Sequence, residues 1–267
     1  MSGQSLGSYV RTAVRAARQA GALLARYVGK PASVKTKRSA VDLVTEVDQA
    51  AERLIRQALQ RATPAFGFLG EESGGGRSRS PYRWIVDPLD GTMNFVHGLP
   101  FFGVSIGLEA RGGLIAGVIY DPMRDELFTA TAGGGAFLNG RRIIVSSTRR
   151  LAHGLLATGF SSAFRASSHT YLRWFRTFEA GSHAVRRMGS TALCLAYVAA
   201  GRLDGFYERD LWPWDVAAGI LLVREAGGAV SNFQGRPVLL GDGRLVASDG
   251  RIHGEMLHVL SRTGRVR

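Results

Sequence analysis

Trp84-Ile85-Val86-Asp87-Pro88-Leu89-Asp90-Gly91-Thr92-Met93-Asn94-Phe95 is the stretch from which the rest of the chain is read. Residues 82–86 are short and apolar, the pattern of a buried strand. The strand ends in Asp87, and Pro88, which has no N–H, is expected to stop the ladder. Asp90 follows three positions later, and Gly91 lets the backbone turn tightly. Asp90 to Asn94 is expected to start a helix, with Asp90 near its cap. Two carboxylates meeting at a strand end repel each other unless a cation lies between them. Mg²⁺ takes oxygen ligands and leaves room for water and a substrate phosphate. The amides of Gly91 and Thr92 at a helix start would cradle a phosphate oxygen. On this segment alone the competing reading, in which Asp87 and Asp90 only cap a turn, stays open.

Working outward, residues 5–28 read as an amphipathic helix, with Leu6, Val10, Ala13, Ala17, Ala20, Leu24 and Val28 at helical spacing. Arg11, Arg15, Arg18 and Arg26 share its opposite face. Residues 48–59 read as a second helix, entered through Thr45-Glu46-Val47-Asp48, a loose capping box. Downstream, 104–110 and 114–120 flank Arg111-Gly112-Gly113, a hairpin signal. Strands at 127–131 and 136–138 follow, and Asn139-Gly140 is a tight-turn dipeptide before 142–145. The second half alternates: strand 155–158, helix 168–178, strand 184–188, helix 191–200, strand 205–208, helix 215–225, strand 245–247, helix 252–260. This order predicts an α/β chain: an antiparallel sheet with helices in a β-rich half over about 1–150, then an α/β half over about 151–267. Residues 73–80 read as a small Gly/Ser/Arg loop.

The chain has 267 residues, 45% of them hydrophobic and 21% charged, a soluble globular composition. No apolar run approaches the roughly 20 residues of a membrane helix. No signal-peptide core precedes Tyr9, and the one cysteine, Cys194, permits no internal disulfide; both point to the cytoplasm. The net charge is +13, carried mostly by arginine spread along the whole chain. That spread favours a solvated surface over a dedicated nucleic-acid footprint, though affinity for a polyanion stays open.

Gly103-Val104-Ser105-Ile106-Gly107 matches the G-x-S-x-G nucleophile elbow but sits inside a continuing strand, where the elbow cannot form. Gly133-Gly134-Gly135 lacks the Gly-Lys-Ser/Thr ending of a P-loop and reads as a turn. The histidines are scattered, which disfavours zinc, and Cys194 lies in an apolar helical run. Glu71-Glu72 alone reads as a solvated pair. In Trp212-Pro213-Trp214-Asp215-Val216-Ala217-Ala218-Gly219, tryptophans are expected to bury around an aspartate at a helix start, where it would serve as an N-cap or need another partner.

Gly70-Glu71-Glu72-Ser73, residues 84–95 and Trp214-Asp215-Val216-Ala217-Ala218-Gly219 together resemble the inositol monophosphatase family, Mg²⁺-dependent, lithium-sensitive sugar-phosphate phosphatases. The resemblance runs from Val41-Asp42-Leu43-Val44-Thr45 to Glu225-Ala226-Gly227-Gly228, most of the chain. It implies a single domain over 1–267 with the five-layer αβαβα sugar-phosphatase fold. It implies that Glu71, Asp87 and the Leu89 carbonyl hold a first Mg²⁺, that Asp87, Asp90 and Asp215 hold a second, and that Glu71 touches a third. Thr92 with Asp48 would orient the attacking water. Thr92, Asp48 and Glu71 make up the implied catalytic set. The Gly91 and Thr92 amides would bind phosphate. Gly189, Ser190, Thr191, Glu208 and Asp215 would meet the sugar, and Lys37 matches a lysine in a mobile loop near the metals. A homodimer is the implied assembly. Met93 departs from the family's usual Thr or Lys, and the arginine excess exceeds the family's habit.

The expected function is hydrolysis of myo-inositol 1-phosphate or a similar polyol phosphate by water, without a phosphoenzyme. Histidinol phosphate, fructose 1,6-bisphosphate and a phosphoadenosine nucleotide are the alternatives within the class. An RNA-binding or transcription-associated scaffold is the alternative outside it.

Overall fold

The computed structural model describes residues 6–30, 33–36, 43–75, 79–111, 113–160 and 164–263. Lys37, Val41 and Asp42 lie outside them. The chain opens with α1 (Leu6–Tyr27), the hairpin strands β1 (Val34–Thr36) and β2 (Leu43–Thr45), and α2 (Glu46–Ala62). β3 (Gly67–Gly70), β4 (Gly74–Gly75), β5 (Tyr82–Asp90) and the short α3 (Thr92–Val96) follow. A meander then runs through β6 (Gly103–Ala110), β7 (Gly113–Asp121), β8 (Glu126–Thr131), β9 (Gly135–Leu138) and β10 (Arg141–Ile143). The second half holds β11 (Leu155–Thr158), α4 (Phe164–Gly181), β12 (Ala184–Arg186), α5 (Thr191–Ala199) and β13 (Gly205–Arg209). It closes with α6 (Pro213–Glu225), β14 (Ala229–Ser231), β15 (Arg244–Ser248) and α7 (His253–Thr263).

Eight strands form one sheet in the order β10-β9-β8-β7-β6-β5-β3-β4, antiparallel except where β3 runs parallel to β5. Five strands form a second, mixed sheet, β12-β11-β13-β15-β14. α1 and α2 cover one face of the large sheet, α5 and α6 lie between the sheets, and α4 and α7 cover the outer face of the small one. The result is the five-layer αβαβα arrangement. Leu24, Ile55, Trp84 and Phe102 fill the first interface. Phe128, Leu195, Phe206 and Ile220 fill the middle, and Trp174, Phe178, Val246 and Met256 the last. Burying each such side chain fully contributes about 1.5–3 kcal/mol. Glycines let the middle helices approach: a Cβ on Gly107 would fall 2.8 Å from Ala217 Cβ, and one on Gly117 3.0 Å from the Ala218 carbonyl oxygen.

The structure corrects several expectations. Pro88 does not end the ladder: β5 pairs with β6 up to Asp87↔Ser105 and resumes at Asp90↔Gly103, with an irregularity between. Proline has no N–H for the ladder, so it is accommodated where the pairing is already broken. The helix after it is capped by Gly91 at φ 102°, not by Asp90, whose side chain turns elsewhere. Trp212 is 46% exposed, not buried, and stacks on the buried Trp214 with ring centroids 5.4 Å apart. Asp215 lies one turn inside α6 and accepts the Trp212 N–H at 2.7 Å, so it reaches back to the cap instead of occupying it. The strand at 184–188 is shorter, Ala184–Arg186. The short strands β1 to β4 and β14 carry no period long enough to read.

Candidate active site

Asp48 is fully buried near the start of α2. Its Oδ2 accepts the backbone N–H of Thr45 at 2.9 Å and also the Thr45 hydroxyl, and Thr45 in turn accepts the Val47 and Asp48 amides. The capping box fixes the carboxylate and leaves Oδ1 facing Thr92, whose hydroxyl is 3.2 Å away. The same hydroxyl is 3.2 Å from the Leu89 carbonyl. Its single proton serves one acceptor at a time; given to Asp48, it leaves the Leu89 carbonyl open for a cation.

Asp87 and Asp90 sit at the irregular end of β5, both buried. Asp87 Oδ1 accepts the Leu89 N–H at 2.9 Å, so the turn-capping reading is also true of it. The charges acting most strongly on Asp87 are Glu71, Asp90 and Asp215, and Glu71 lies within hydrogen-bond reach. Burial, then those carboxylates, hold the Asp87 acid well above its ordinary value. Asp215 is also held well above it, by burial first and Glu71 next. Burial pushes Asp90 up to about 6 against the pull of hydrogen bonds from Ser190 and the start of α5. The structure thus brings Glu71, Asp87, Asp90 and Asp215 into one electrostatically coupled group, drawn from two strand ends and a helix.

Oxygen donors that repel one another in a buried place fit a hard divalent cation. Among the described residues, no three Asp, Glu, His or Cys side chains close on one point as a ready-made cage.

Asp90 also joins the two halves of the chain. Its Oδ2 accepts the Ser190 hydroxyl at 2.5 Å and the Ala192 N–H at 2.6 Å at the start of α5. Thr191 donates to Glu208 Oε2 at 2.9 Å. Glu208, on β13 and 8% exposed, is pushed by burial up to about 8. Gly189, Ser190, Thr191 and Glu208 therefore line one side of the carboxylate group, with Gly91 close by: a Cβ on Gly91 would fall 3.2 Å from the Gly189 carbonyl.

Four further residues shape the site in roles that the sequence did not assign to them. Asn94 donates to the Phe101 and Met188 carbonyls at 2.7 and 2.8 Å, bridging α3 to the segment before Gly189. The Ser105 hydroxyl donates to the Trp214 carbonyl at 3.3 Å, tying β6 to the turn that presents Asp215. Gly159 makes room for Glu208, whose Oε1 would lie 2.0 Å from any Cβ there. Glu52 accepts the amides of Glu72 and Ser73. Asn94 follows the quoted Asp-Gly-Thr turn and Glu52 follows Asp48 by one helical turn; those offsets were the available signals. Cys194 is buried in α5 and Ser105 is buried inside β6, so neither presents a nucleophile.

Fold and site together define a layered α/β protein whose acidic cluster collects the ends of two strands of the large sheet and the start of a helix between the sheets. The chain belongs to the inositol monophosphatase family, whose pattern it matches over residues 6–264. It is 45% identical over 251 residues to an inositol-1-monophosphatase of Mesorhizobium japonicum, covering 93% of this chain and 94% of the relative. It is 46% identical over 253 residues to a protein of Pseudomonas aeruginosa named Nus factor SuhB, covering 92% and 93%. The solved inositol monophosphatase of Anabaena superposes with a TM-score of 0.89 at 40% identity, over 97% of each chain. Family and relatives support a phosphatase.

Proposed function

We propose that the chain is a Mg²⁺-dependent phosphate-monoester hydrolase acting on a small polyol phosphate such as myo-inositol 1-phosphate. The observation that carries this reading is the coupled group of Glu71, Asp87, Asp90 and Asp215 beside the Gly91–Thr92 turn. Glu71, Asp87 and the Leu89 carbonyl would hold one ion, Asp87, Asp90 and Asp215 a second, and Glu71 would touch a third. Bound ions neutralise charge on the attacking and leaving oxygens of an in-line displacement and make water acidic near neutral pH. The Gly91 and Thr92 amides bind a phosphate oxygen at the start of α3. Thr92, with its proton directed to Asp48, accepts a hydrogen bond from the attacking water and so orients it. Asp48, held by Thr45, can take the proton that reaches it through Thr92. Glu208 offers its carboxyl group to the hydroxyls of a neutral polyol, while Gly189, Ser190 and Thr191 line the same leaving-group side. No enzyme nucleophile is needed, so no phosphoenzyme forms.

Lithium inhibition, a homodimer and a cytoplasmic setting belong to the same reading. Among the described residues no helix is long and apolar enough to cross a membrane. The deciding experiment is a substrate panel with Mg²⁺. Inositol 1-phosphate is expected to lead; histidinol phosphate turning over a hundredfold faster would displace it, and fructose 1,6-bisphosphate and a phosphoadenosine nucleotide complete the panel.

A second reading is binding to RNA or a transcription-associated partner. It is favoured by the exposed Arg11 and Arg15 on α1 and by relatives named Nus factor SuhB. Affinity carried by phosphate contacts must fall steeply with salt. An anisotropy titration of RNA across a salt series tests it; no binding near physiological salt removes it.

A further inference from the structure

α2 carries two buried carboxylates one turn apart, and only Asp48 has a place in the chemistry above. Glu52 is 4% exposed and lies on the same side of the helix. Its Oε2 accepts the Glu72 N–H at 2.8 Å and its Oε1 the Ser73 N–H at 2.9 Å. These two amides belong to the turn that leaves β3 and carries Glu71. The approach depends on Gly70, where a Cβ would fall 2.4 Å from Glu52 Oε2. One turn further along α2, Arg56 reaches the Ser73 hydroxyl at 3.4 Å. The Glu71 amide itself is tied to β5 through the Val86 carbonyl at 3.1 Å. Glu71 is therefore clamped on both sides: by β5 through its own N–H, and by Glu52 through the next two.

A carboxylate is the side chain suited to this task. It offers acceptors on both oxygens, whereas glutamine would turn an N–H₂ toward one of the two amides. A buried backbone donor without an acceptor is unfavourable enough to move the turn.

We propose that Glu52 is a positioning residue, which presents Glu71 to the divalent ion by fixing the Glu72 and Ser73 amides. The inference rests on the reading of Glu71 as a metal ligand. Partners that orient a ligand typically change metal affinity by about 10–100-fold when removed.

The test uses the full-length protein with Mn²⁺ alone as probe, its binding followed by paramagnetic resonance without substrate. E52Q is expected to weaken Mn²⁺ binding about tenfold, and amide exchange at Glu72 and Ser73 should quicken. With substrate, the Mg²⁺ concentration for half-maximal rate should rise by a similar factor while kcat at saturating Mg²⁺ stays within about twofold. E52D, which keeps both acceptors on a shorter stem, should recover part of the affinity. D204N, at a half-buried carboxylate of the loop before β13 that holds the Leu155 amide, controls for general loosening and should leave Mn²⁺ affinity unchanged. If E52Q does not fold, G70A supplies the same displacement from the opposite side. Quickened exchange with wild-type Mn²⁺ affinity overturns the proposal, provided E71Q does weaken Mn²⁺ binding. Should E71Q bind Mn²⁺ like the wild type, the ligand reading itself fails and the proposal goes with it.

Discussion

Ser190 Oγ donates to Asp90 Oδ2 across 2.5 Å, joining residues 100 positions apart and tying the end of β5 in the large sheet to the start of α5. The same hydroxyl oxygen accepts the Leu193 N–H at 3.3 Å, so one atom caps the helix and aims the carboxylate. S190A should destabilise the fold by about 1–3 kcal/mol, the range for a lost cap and a lost bond to a charged group. It should also lower turnover. S190T keeps the hydroxyl and should restore most of both. Denaturant melts and steady-state rates check this pair; an S190A protein equal to wild type in both would show the contact to be incidental.

Asp90→Asn keeps the volume of the side chain and removes one anion from the coupled group. Activity should drop roughly 100-fold or more, because several kcal/mol of charge stabilisation depend on the ions it would hold. The fold should persist, since the Ser190 and Ala192 donors keep an acceptor oxygen. Circular dichroism with Mg²⁺-dependent kinetics decides it: wild-type turnover at saturating Mg²⁺ would contradict the metal assignment.

Glu208 gives the protein a pH signature. Its folded value is about 8 against an ordinary 4.5. Between those values the native state holds a proton that the unfolded chain releases. Stability must therefore fall as pH rises from about 4.5 to 8. Asp90, raised from 3.8 to about 6, adds to the decline at the acid end of that window. Melting temperatures in EDTA, compared between wild type and E208Q, isolate the effect. E208Q should flatten the decline, and an identical slope in both proteins would refute the assignment.

Cys194 should be inert in the folded protein. It is 1% exposed, and burial holds its thiol well above the ordinary value, so almost no thiolate is available. Iodoacetamide should label it only in denaturant, with activity unchanged by native treatment. Stoichiometric labelling of the native chain would show that α5 opens readily.

Long periodic elements were readable from sequence because burial enforces their period. α1, α2, the β6–β7 hairpin and the alternation after residue 150 stand close to where apolar spacing puts them. The Asn139-Gly140 turn has both residues at positive φ, 49° and 77°, as that dipeptide predicts. Asp87 and Asp90 stood out because each precedes a residue that punctuates the chain, Pro88 and Gly91, and Asp215 because it follows Trp212-Pro213-Trp214 at the start of a small-residue helix. The path of β5 through Pro88 was not legible, because proline's missing N–H says only that pairing breaks, not that it resumes. Glu52 was silent for a different reason: its partners are backbone amides twenty residues away, and backbone amides leave no mark in a sequence.

Trp212 stacks on Trp214 with ring planes 4° apart, and its backbone N–H donates to Asp215. That stack places a solvent-facing fluorophore one hydrogen bond from the acidic cluster. On the proposed metal reading, ion loading that shifts Asp215 would disturb the indole pair, giving an optical gauge of occupancy readable without dye, label or substrate.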